Sequence, residues 1–232
     1  MRIYYKYLMA IGAIIGIMET ANATPTFRIS DGVNSVVVTD NGAGDSNSAA
    51  GQVTWIGSLG NWTLNVDTAT TFPALGTLAS PVLDLGFNAI SNGAGGSLLI
   101  EFSADGFGPT TGTTYTATGG TVMGAGTVGF STFGGNSNTL FDSTNGLSSV
   151  GPFAGPAFSN SLIGSMLSEQ GPYSLTEAVR INSAGASSIT GDASYSVASV
   201  PDSGTSVMLL GVGLLALGAF SSIKRRVLAQ GA

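Results

Sequence analysis

Neither cysteine nor histidine occurs anywhere in the 232 residues. Disulfide staples, thiolate or imidazole metal ligands, and the Ser-His-Asp and Cys-His nucleophile systems in their usual forms are thereby excluded. Charge is scarce too, with Asp, Glu, Lys and Arg together at 9%. Lysine is missing from residues 24 to 200, where Arg28 and Arg180 stand against eleven acids and leave a net −9. A surface that acidic repels phosphate backbones, which argues against nucleic acid as a partner. Glycine, by contrast, is abundant at 35 residues. It supplies the positive φ that tight turns need, and each one inside a helix costs roughly 1 kcal/mol relative to Ala. The composition therefore favours many strands joined by turns.

The two ends differ from what lies between them. Met1 to Ala23 reads as a signal peptide: Arg2 and Lys6 precede the apolar run Leu8 to Met18, and Ala21 and Ala23 supply the small residues of a cleavage site. The apolar run is about half the ~20 residues of a spanning helix. It predicts a cleaved signal helix, export through the Sec machinery and a mature start at Thr24. At the other end, Val207 to Ile223 is apolar apart from Ser221 and Ser222, and Lys224, Arg225 and Arg226 follow at once. This is a transmembrane helix at the lower limit of length, and its basic stop cluster would hold the cytoplasmic side. Residues 227 to 232 form a short cytoplasmic tail.

Immediately before that helix stands the motif Val200-Pro201-Asp202-Ser203-Gly204, within segment 200–206. Motif, Gly-rich apolar helix and basic cluster, in that order, resemble the PEP-CTERM sorting signal in its VPDSG-CTERM form, across residues 200–226. The commoner form carries Pro-Glu-Pro, from which Asp202-Ser203 departs. The resemblance implies recognition by an exosortase, a membrane-embedded, cysteine transpeptidase-like enzyme of exopolysaccharide-producing Gram-negative bacteria. It also implies an inner-membrane-anchored precursor and later association with the cell surface, extracellular matrix or biofilm. Pro201 keeps Val200 extended and cannot join a strand ladder, while Gly204 adds flexibility. The motif would thus be a substrate for the partner enzyme.

Residues 24–199 carry strand patterning almost throughout. The pattern predicts strands at Thr26–Ser30, Val33–Thr39, Gln52–Leu59, Trp62–Val66, Val82–Ser91, Ser97–Ala104, Thr113–Thr118 and Thr127–Phe133. Three less uniform ones follow at Ser161–Leu167, Tyr173–Ile181 and Ser188–Val197. Asp31-Gly32, Asn41-Gly42, Asn92-Gly93, Asp105-Gly106 and Asn145-Gly146 are hairpin-type turn signals. The stretch from Gly134 to Pro172 reads as a long loop with a short helix or strand at 161–167. Together these predict an all-β, antiparallel β-sandwich or jelly-roll-like extracytoplasmic domain, flanked by the signal helix and the transmembrane helix. Gly57 to Val66 and Tyr173 to Thr176 also resemble the β-rich mature domains of PEP-CTERM proteins.

Four constellations could carry chemistry. The loop Asp40 to Asn47 gathers oxygen ligands suited to Ca²⁺, but lacks EF-hand spacing, so a polar hairpin connection is the simpler reading. Trp55 and Trp62 fall on alternating apolar positions, which favours core packing over sugar stacking. Asn61-Trp62-Thr63 matches a glycosylation sequon, a general signal. The eleven acids of the domain supply possible carboxylate pairs for glycoside hydrolysis, yet no motif selects one. The expectation is a non-enzymatic surface or matrix protein with no cofactor, metal site or catalytic residue, in contact with exopolysaccharide. The alternative is a carbohydrate-binding module, with or without Ca²⁺, and the third option a glycoside-active enzyme. Exposure of the Trp55, Trp62, Tyr115 and Tyr195 rings separates the first two, and a carboxylate pair facing a cleft would favour the third.

Overall fold

A computed structural model describes residues 23–199 and Leu210. Between residues 23 and 199 every regular element is a strand. The strands are β1 (Thr26–Ser30), β2 (Ser35–Thr39), β3 (Gln52–Leu59), β4 (Trp62–Thr70), β5 (Val82–Ser91), β6 (Gly96–Phe107), β7 (Thr110–Gly135), β8 (Asn145–Phe153), β9 (Phe158–Glu169) and β10 (Tyr173–Ser199). Every pairing is antiparallel and all ten strands belong to one hydrogen-bonded sheet. An all-β antiparallel domain is thus what the chain forms. The sorting motif, the basic cluster, Ala21 and all of the proposed membrane helix except Leu210 lie outside the described residues. No helix among the described residues is long and apolar enough to cross a membrane.

Two long strands organise the sheet. β7 and β10 run side by side for almost their full length, and the register shifts between Ser183 and Ser187 opposite Gly126 and Gly124. Before the shift β10 pairs with β6, and after it with β5. β7 divides in the same way between β8 and β9. The ribbon therefore bends and gives two six-stranded halves: β2-β1-β6-β10-β7-β8 and β3-β4-β5-β10-β7-β9. Gly124 sits at the bend with φ +85°, and a β-carbon there would run into the Ala186 carbonyl oxygen. Only glycine fits such a corner without strain.

The halves face each other across an apolar core. Phe27, Ile29, Ile100, Phe102, Val179 and Phe130 project from the first half, and Leu64, Leu83, Leu85, Phe87 and Ala193 from the second. Phe130 meets Phe87 at 6.2 Å and Phe158 at 5.7 Å between ring centroids, and each pair joins the two halves. Such tilted aromatic pairs add about 0.5–1.5 kcal/mol beyond the area they bury. The core is a sandwich interior, with buried and less buried residues alternating along β5 from Val82 to Ala89.

Several sequence expectations change in detail. Thr113–Thr118 and Thr127–Phe133 are two parts of one strand, β7, as are Tyr173–Ile181 and Ser188–Val197 of β10. The bend at Gly124–Gly126 interrupts their alternation without ending the ladder. Gly134–Pro172 is not mainly loop, since it contains β8 and β9. Asn145-Gly146 opens β8 instead of making a hairpin turn. Asp105-Gly106 lies inside β6, at the bulge where Phe107 and Ala104 pair with Tyr173 and Leu175.

Candidate functional site

The oxygen-rich loop Asp40–Asn47 is knitted together by its own backbone. Asp45 Oδ1 accepts from the amides of Asn47 and Thr54 at 2.9 Å each, and Oδ2 accepts from Asn41 N at 2.9 Å. Asp40 Oδ2 accepts from Gly51 N at 2.8 Å. Carboxylates engaged in this way shape a turn and cover the outer edge of β3, where Ser46 N donates to Thr54 O. Among the described residues no three acidic side chains cluster together. Asn61 of the sequon donates through Nδ2 to Gly95 O at 3.2 Å, tying the β3–β4 turn to the β5–β6 connection.

The aromatic rings sort themselves by alternation. Trp62 and Tyr195 are each 1% exposed and belong to the core. Trp55 is half-buried, lying across Gly57. Tyr115 alone of these four is open to solvent, at 42%. It stands on the outer face of the second half, on a strand whose even-numbered neighbours Thr114 and Thr116 are buried.

Around Tyr115 the pairing register builds a shallow polar cleft. Ser196, Tyr115 and Ile163 lie side by side across β10, β7 and β9. The next row holds Asp84, Ser194, Ala117 and Ser161, and the one after it Gly86, Asp192, Gly119 and Ser159. Small residues keep the floor low, leaving adjoining depressions of about 440 Å³ at Tyr115 and about 500 Å³ at Asp192. Asp84 and Asp192 occupy diagonal positions on neighbouring strands, a relation that places Cα atoms about 7–8 Å apart. Partial burial, and then the Asp192 charge, raise the Asp84 carboxyl above its ordinary range, while a hydrogen bond from Ser194 opposes the shift. Thr118, between Ala117 and Gly119, turns its side chain to the interior, where it is 5% exposed and its Oγ1 has no hydrogen-bond partner in the protein. Sequence reasoning had singled out Tyr115 but not the two aspartates, which become neighbours only through the β5–β10 pairing.

The first half carries both arginines. Arg28 Nε donates to Glu101 Oε2 at 2.6 Å, and its guanidinium lies 4.3 Å from the centroid of the Phe141 ring. Arg180 is exposed beside a depression of about 220 Å³ lined by Ser131, Ser149 and Asn182. Between the halves sits Glu177, fully buried with neither carboxylate oxygen hydrogen-bonded. Desolvation, and then the charges of Asp84 and Asp192, push its carboxyl well above the ordinary value.

Comparison with known proteins adds little for the folded domain. None of the curated proteins matches the chain. Among solved structures it is similar to the enzymatically active domain of Bacteriophage CBA120 tailspike protein 4, at 15% identity and TM-score 0.32, over 61% of this chain but only 20% of that one. It is also similar to TmCBM61 in complex with beta-1,4-galactotriose, at 12% identity and TM-score 0.24, covering 60% of this chain and 90% of that one. A third likeness is to a structure of infectious bursal disease virus, Gx strain, at 10% identity and TM-score 0.32, covering 81% and 54%. At those scores none carries a functional inference. The tail is different: the VPDSG-CTERM motif family matches residues 199–224, and the chain therefore carries a PEP-CTERM-like exosortase sorting signal.

Proposed function

We propose that this chain is a non-enzymatic cell-surface or extracellular-matrix protein of a Gram-negative bacterium, exported by Sec and held in the inner membrane by its C-terminus until an exosortase-type enzyme processes it. The observation that carries this reading is the ordered tail of Val200–Gly204, Val207–Ile223 and Lys224–Arg226, whose motif and apolar run lie within the matched segment 199–224. The chain also divides into two compact units at the Ser199/Val200 boundary, so cutting in the motif would free the sandwich whole. Association with exopolysaccharide and biofilm follows from where such a signal sends a protein.

The front end fits the same route. Thr24 N donates to Asp105 Oδ1 at 3.0 Å. Signal cleavage after Ala23 would turn that amide into an ammonium group and the contact into an ion pair, anchoring the new terminus. As for catalysis, Asp84 and Asp192 are a carboxylate pair beside a cleft, the feature that would favour a glycoside-active enzyme, but both stand side by side on one sheet face, whereas glycoside hydrolysis needs carboxyls that flank the scissile bond. We take the cleft as a binding surface.

Replacing Pro201-Asp202-Ser203-Gly204 with alanines leaves the helix and its basic cluster intact. Immunoblots of fractionated cells should then show an unprocessed precursor accumulating in the membrane. A variant processed and displayed like the wild type would reduce the tail to an ordinary anchor.

A further inference from the structure

We propose that the outer face of the second half binds a neutral oligosaccharide, with one sugar ring stacked on Tyr115 and the hydroxyls of the rings that follow hydrogen-bonded to Ser194, Asp192 and Asp84. The biological setting rests on the surface-display reading above, whereas the binding itself is independent of sorting.

The two adjoining depressions, about 440 and 500 Å³, run along one face and fall within the ordinary size of small-ligand sites. Tyr115, 42% exposed, stands at one end beside Ile163 at 67%. An aromatic face offers the apolar surface on which the C–H side of a pyranose packs. Ser194 stands one row and Asp192 two rows along from Tyr115 on the neighbouring strand β10, with Asp84 beside Ser194 on β5, so their oxygens meet the hydroxyls of the next rings along the chain.

Charge decides which saccharide. No lysine occurs between residues 24 and 200, Arg28 is engaged by Glu101, and Arg180 belongs to the other half. The cleft itself presents Asp192 with Asp84 beside it. A uronate or sulfated chain would bring its anions against these carboxylates with no cation to receive them. A sugar bearing only hydroxyls meets no such penalty. A polypeptide strand fits poorly as well, because the sheet face carries no free backbone groups for it to pair with.

The test uses the full-length chain purified in detergent micelles, with dextran, galactan and soluble xylan as neutral probes and alginate as the anionic one. Calorimetric titration should show binding to at least one neutral polymer and none to alginate. Tyr115→Ala should weaken binding at least about tenfold, the effect of losing one good contact. Tyr115→Phe keeps the ring face and should retain binding, Asp192→Asn should weaken it severalfold, and Arg180→Ala should change nothing. The neutral probes should be recovered without new reducing ends. Tyr115 is exposed, so its variants should melt like the parent, and a matching melt excludes misfolding as the cause of lost binding. No neutral probe bound, neutral binding indifferent to Tyr115→Ala, or alginate bound through Arg180 would each overturn the proposal. A chain that is still sorted but binds no glycan would sink this inference alone.

Discussion

The two halves of the sandwich share the same central strands yet use them differently. In the first half β10 is buried on both faces from Tyr173 to Val179. In the second half β10 alternates from Ala193 to Val197, with Ala193, Tyr195 and Val197 buried and the residues between them more open. The first half holds Arg28, Glu101 and Arg180, whereas the outer face of the second presents serines, glycines and two aspartates. A strand that spans both halves can therefore serve as interior wall at one end and binding floor at the other. Its partners and its own residues, Tyr173–Val179 against Asp192–Val197, together set which role it takes.

The bend that separates the halves is the place to break this arrangement. Gly124→Val would force a branched side chain at φ +85° into the Ala186 backbone. We expect a loss of about 3 kcal/mol or more, read as a fall in denaturant midpoint or failure to fold. A variant as stable as the parent would mean the bend tolerates other geometry.

Next in size is the ion pair of the first half. Arg28→Ala leaves Glu101, 5% exposed, without its cation. Urea unfolding should show a loss of about 1.5–3 kcal/mol, the range for hydrogen bonds to charged groups.

Glu177 sharpens the comparison with the opposite sign, because its burial without partners weakens the interior. Its folded pKa lies above its unfolded one, so over the window between them the native state holds a proton that the unfolded state has released. The stability present below about pH 4.5, an ordinary glutamate value, is lost as pH rises through the folded pKa. Glu177→Leu should therefore gain about 1–3 kcal/mol at pH 8 and less at pH 4, measured by melts across that range. A gain independent of pH would assign the effect to packing alone. Smallest of all, Tyr115→Ala should leave stability within about 0.5 kcal/mol, since the ring covers little of the core. A larger loss would make Tyr115 structural.

Much of the fold was legible from the sequence, and the exceptions have physical causes. Thr26–Ser30, Gln52–Leu59 and Val82–Ser91 fall where alternation places them, because each has one buried face. β9 escaped as a full strand because, as an edge, it leaves most side chains exposed on both faces, with Ile163 and Met166 outside among serines. β8 was missed because Asn145-Gly146 looks like a hairpin signal and Pro152 like a strand breaker. Both are tolerated on an edge strand. The bend was invisible for a related reason: Gly124 and Gly126 read as interruption when they are a corner within one ladder. In the cleft, Leu83-Asp84-Leu85 and Asp192-Ala193-Ser194 show an outward carboxylate beside inward apolar residues. What places Asp84 and Asp192 together is a pairing between positions far apart in the chain, which local periodicity does not encode.

Both ends of the chain should be gone from the mature protein. Intact-mass measurement of the protein recovered from the cell surface or medium tests this most directly. We expect a species that begins at Thr24 and ends within or just after Pro201–Gly204, lacking Val207–Ile223 and the Lys224–Arg226 cluster. A surface-borne species that keeps residues 207 to 232 would contradict processing at the sorting motif.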